Sequence, residues 1–140
     1  MNTLYEMDFY QWIDQQVNLL KAKEYEAIDL ENVIEEIESM GRSDRRALFS
    51  QVIRLIVHLL KFKYQPEKQE YGESWANTIR DARFEIGLIL EDSPSLRNHL
   101  EINLQGLYLR SVRKASAETG IPLELFENKS LWSLNDIMEG

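Results

Sequence analysis

The 140-residue chain contains no cysteine. Disulfides, thiolate metal centres and a thiol nucleophile are therefore excluded. It has only three prolines and six glycines, and these fall between periodic apolar stretches. The glycines are scattered, so no phosphate-cradling loop exists. No apolar run approaches the roughly 20 residues that span a bilayer. The segment Met1 to Glu6 has neither the basic region nor the apolar core of a signal peptide. The expectation is a soluble, cytoplasmic protein with no membrane partner. Strand-like alternation flanked by hairpin turns is also missing, which points to an all-α chain.

Catalytic patterns are equally scarce. There are two histidines, His58 and His99, and the residues three before them are Leu55 and Leu96. A di-metal carboxylate bundle needs a glutamate at that offset. There is no H-E-x-x-H and no G-x-S-x-G. No complete catalytic constellation is present and no cofactor is implied.

What is present is enough apolar residue for a folded domain, 44% of the chain, with a formal net charge of −8. At this length the chain reads as a single helical domain, 1–140. The charge is patterned. From Glu24 to Met40 there are seven acids and no base, and from Arg42 to Lys63 six bases against Asp44 alone. Gly41, Arg42 and Ser43 lie between and read as a tight turn. Two antiparallel helices of opposite charge would then attract each other.

The periodicity predicts a compact bundle of four to five main helices with a short helical C-terminal tail. A first helix starts at Asp8 as N-cap, with Gln11 in the capping-box position, and ends near Lys21 to Lys23. Its apolar face holds Phe9, Trp12, Ile13 and Leu20, with Gln16 among them. A second starts at Asp29 and stops at Gly41, with Leu30, Val33, Ile34, Ile37 and Met40 as its apolar stripe. Glu36 flanks that stripe on one side with Asp29, and Glu38 on the other with Glu31. A third runs from about Ser43 to Tyr64 and is closed by Pro66. Leu48, Val52, Leu55, Ile56, Leu59 and Phe62 form its core stripe, widened by Phe49, Ile53, Val57 and Leu60. So broad an apolar face marks either the centre of the bundle or a homodimer seam. A fourth begins after Ser74 as N-cap and carries Trp75, Ile79, Ala82, Ile86, Ile89 and Leu90 inward. A fifth follows the Asp92-Ser93-Pro94-Ser95 break and ends at Gly120. Pro122 opens a short helix through Phe126, and Ser133 caps a last turn through Met138, these pieces closing one end of the bundle.

Six of these segments, in order along nearly the whole chain, resemble the bacterial family catalogued as domain of unknown function 29. They are YEMDFYQW from Tyr5, DLENVIEEIESMG from Asp29, HLLKFKYQP from His58, SWANTIRDARFEI from Ser74, DSPSL from Asp92 and ETGIP from Glu118. The resemblance implies a compact helical domain and no established activity.

Three functional readings remain. The small size and acidity fit a non-enzymatic interaction or regulatory protein with a basic protein partner. The E-x-x-E pair Glu35 and Glu38, with Glu36 and His58, fits a Mg²⁺ site in a nucleotide or phosphoester hydrolase. All-α nucleotide pyrophosphohydrolases place a second acidic pair on a later helix, where this chain has only scattered acids: Asp81, Glu85, Glu91 and Asp92. Against it stands a solvated acidic face paired with Arg42, Arg45 or Arg46, or with Arg80 and Arg83. His58 fits a hydrogen-bonded structural histidine, or a partner of Glu36 if two helices face each other. Trp75 with Arg80 and Arg83 fits a stacking grip on a nucleotide, or more simply a core anchor with a charged border. Nucleic-acid binding through that group or through Arg42 to Arg54 is opposed by the net charge.

Overall fold

A computed structural model describes residues 3–65, 72–126 and 132–139. It is all-α, with no strand among the described residues. The helices are α1 (Leu4–Met7), α2 (Phe9–Lys21), α3 (Leu30–Tyr64), α4 (Gly72–Asp92), α5 (Leu96–Thr119) and α6 (Leu134–Glu139). Four are long and the last is a short C-terminal piece, as the periodicity predicts. The expected closure of α3 by Pro66 lies outside the described residues. The chain sorts into two compact units, Met1–Ser43 and Asp44–Gly140.

The principal correction concerns Gly41. It does not end a helix; α3 runs through it as one helix of 35 residues. Its φ is not positive, and an added Cβ would meet nothing within 4 Å. The opposite charges on its two sides pair along the same helix instead of between two. Arg42 Nη2 lies 2.8 Å from Glu35 Oε1 and Nη1 lies 3.7 Å from Glu38 Oε2. A single interior glycine costs only about 1 kcal/mol against alanine. With no proline nearby and these pairs bridging it, continuation wins.

In the first unit the caps follow local chemistry. Asp8 Oδ1 accepts from the Gln11 backbone N–H at 3.1 Å and starts α2. After Lys21 the backbone closes in a Schellman pattern, Lys23 N–H to Leu20 and Glu24 N–H to Leu19. Lys23 takes the left-handed φ of 59° usually left to glycine, at a cost of about 1–2 kcal/mol. A 3₁₀ turn, Tyr25–Ala27, leads to α3.

In the second unit one core joins Leu48, Val52, Leu55, Ile56, Val57 and Leu60 of α3 to Ile79, Ala82 and Ile86 of α4. Leu100, Leu104, Leu107, Tyr108, Val112 and Ala115 of α5 complete it with Phe126, Leu134 and Ile137. Full burial of each large side chain stabilises by about 1.5–3 kcal/mol. Of the predicted α3 stripe, Leu48, Val52, Leu55 and Ile56 are buried, Leu59 is partly buried, and Phe62 is 38% exposed. α4 begins at Gly72, so Ser74 is not its N-cap; its carbonyl accepts from Thr78 Oγ1 inside the helix. Gly120 ends α5 at φ 79°, and the Ser133–Asp136 capping box starts α6.

Candidate functional site

The acidic residues singled out by spacing lie in the first unit and divide between two tasks. Glu36 turns toward α1 and accepts a hydrogen bond from the Tyr5 hydroxyl at 2.6 Å. That bond, with partial desolvation and the charges of Glu36, Glu35 and Asp29, pushes the phenol up to about 12. Glu35 and Glu38 instead pair with Arg42. All three side chains are about half exposed, so these pairs contribute at most about 1 kcal/mol each.

His58 belongs to the same helix as Glu36 rather than to a facing one, so the antiparallel approach expected of them does not arise. Its Nδ1 donates to the Arg54 carbonyl at 2.8 Å. Burial, reinforced by the nearby charges of Lys61 and Arg54, holds its pKa below the ordinary value. Lys61 itself pairs with Glu118 at 2.8 Å, which keeps that carboxyl low. Among the described residues no three His, Asp or Glu side chains gather as a metal ion would require.

Where α2 meets the start of α3, polar groups lock the two helices. Buried Gln16 accepts from the Asp29 backbone N–H at 2.8 Å. The Asp29 carboxylate accepts from Asn32 Nδ2 at 2.8 Å and Trp12 Nε1 at 3.1 Å, bonds that lower its pKa. Tyr5, Phe9 and Trp12 pack against one another, with centroids 4.7 to 5.7 Å apart. Sequence reasoning missed Tyr5. It lies on α1, across the non-helical Asp8 cap from Phe9 and Trp12, so helical spacing does not relate the three.

Beside this lock lies an open groove of about 390 Å³ between α2 and α3. Its floor includes Trp12 and Val33, and its edges include Ile37 and Met40. The predicted apolar stripe is largely in water: Ile37 is 62% and Met40 67% exposed, with Leu30 and Ile34 also exposed. Glu36 lines the same groove.

The second unit places Trp75 against Phe62, edge to face at 5.6 Å. Arg80 bonds Asn77, and Arg83 Nε donates to the Ile137 carbonyl at 2.9 Å, tying α4 to α6. Both arginines border a mainly apolar hollow with Leu59, Phe62, Ala76 and Ile79. Among the described residues, no helix is long and apolar enough to cross a membrane.

A family model described as Domain of unknown function DUF29 matches residues 4–140. No curated protein and no solved structure matches the chain.

Proposed function

Because the chain belongs to the family Domain of unknown function DUF29, which assigns it no activity, we propose from the geometry that it is a non-enzymatic interaction or regulatory protein with a basic protein partner. One observation carries this reading: acid and exposed apolar surface coincide in residues 1–43. That segment holds ten acids against three bases, seven of the eight net negative charges of the chain. The same segment exposes Leu30, Ile34, Ile37 and Met40. Apolar area left in water beside a field of one sign is the profile of a surface that recognises an oppositely charged protein.

The test is affinity capture of the tagged chain from its native cell, with chemical cross-linking and mass spectrometry. The expected result is one stoichiometric basic protein cross-linked within residues 1–43. A chain recovered alone overturns the reading. A Mg²⁺-induced rise in melting temperature, abolished by Glu35→Gln, would replace it with metal–phosphate chemistry.

A further inference from the structure

We infer that the groove between α2 and the N-terminal part of α3 receives a basic amphipathic α-helix from the partner protein. This rests on the interaction reading above and adds to it the site and the chemistry of the occupant.

Among the described residues the groove is walled by α2 and α3. Phe9, Ile13 and Val17 stand on one wall and Val33, Ile37 and Met40 on the other. Trp12 is the sole hydrophobic side chain of this unit that is buried among the described residues. Two amphipathic helices reach ordinary core burial when a third lays its apolar face between them, the helix-in-groove mode of recognition. The missing element is therefore apolar on one face.

The rim fixes the charge of its other faces. Ile34 has Glu31 three residues before it and Glu38 four residues after, so both acids border the apolar strip on the α3 side, Glu38 beside its partner Arg42. On α2, Asp14 stands three residues before Val17 and Lys21 four after it, so that edge carries no net charge. Glu31 and Asp14 are exposed. A helix seated in the groove presents one flank to the α3 edge and lies in the field of a unit that holds ten acids against three bases, so lysine or arginine on its outer faces is attracted. A second copy of this unit is disfavoured by the same charges, since it would bring seven net negative charges against seven.

The experiment uses the full chain and a fluorescein-labelled helical peptide of about 14 residues, long enough for about 21 Å of groove. The peptide carries leucine on one face and lysine on the others. Controls replace lysine by glutamate, or leucine by serine. Fluorescence anisotropy reads binding at low and high salt. Saturable binding of the Leu/Lys peptide alone, weakening with salt, is expected. Ile37→Ser is expected to weaken it about tenfold, and Glu31→Gln with Glu38→Gln about fivefold at low salt. All three positions are exposed, and circular dichroism checks that the variants remain folded. Absence of binding overturns the inference. So does equal binding of the Ser/Lys peptide, which makes the contact purely electrostatic, or of the Leu/Glu peptide, which makes the rim irrelevant. A chain that dimerises, and that Ile37→Ser returns to monomer, names a second copy as the occupant and also overturns it. A captured cell partner cross-linked away from the groove would sink this inference while leaving the interaction reading intact.

Discussion

His58 shows how a residue type that invites a catalytic reading is used for packing. It is half-buried on α3, bonded to the Arg54 carbonyl, with a depressed pKa. The unfolded chain titrates near an ordinary value of about 6.5, so below that pH the unfolded state binds the proton more readily. The stabilisation is complete above about pH 6.5 and is lost as pH falls toward the folded value. Asp29 and Glu118 are also depressed, but their losses belong to the lower carboxylate range. A melting-temperature profile of the native chain should therefore decline more steeply just below neutrality than that of His58→Gln. Parallel profiles would show that His58 is indifferent to burial. The capping roles of Asp8, Asp29 and Ser133 were legible in the sequence because capping is chemistry between residues two to four apart. The bonds from Tyr5 to Glu36 and from Asp29 to Gln16 were not. They join residues distant in the chain, and no local pattern chooses among the available acceptors.

At the scale of the element, two glycines make opposite predictions from the same residue type. Gly41 sits inside α3 with open space where a Cβ would stand. Gly41→Ala should stabilise by about 0.5–1 kcal/mol. Gly120 ends α5 in the left-handed region at φ 79°, and Gly120→Ala should destabilise by about 1–2 kcal/mol. Urea midpoints of the two variants check both signs. A loss of stability in Gly41→Ala would mean that α3 is broken there after all. The contrast also explains why a helix end was expected at Gly41. A glycine after an apolar stripe looks the same whether it caps a helix or lies within one. At Gly120 the following Pro122 settles the matter. At Gly41 there is no proline, and the i,i+4 spacing of Glu38 and Arg42 was the sign of continuation. The apolar periodicity of residues 30–40 was read correctly as a face, but periodicity does not say whether anything covers that face.

For the whole molecule, the two units differ in how much each buries within itself. The second holds a continuous core across α3, α4, α5 and α6. The first buries little beyond Trp12 and Gln16. Native-state hydrogen exchange should find amides of residues 48–60 and 100–115 opening only with global unfolding. Those of residues 9–21 and 30–40 should exchange at least about 100-fold faster through local opening. Uniform protection along the chain would contradict this division. The capped, arginine-tethered α6 has a further consequence during protein synthesis. Six residues do not form a stable helix by themselves, yet Leu134 and Ile137 are buried members of the second unit's core. Until Ile137 clears the ribosome, that core has no final wall, and the apolar faces of α3, α4 and α5 are incompletely covered. The first unit lies within residues 1–43, which emerge on the order of ten seconds earlier.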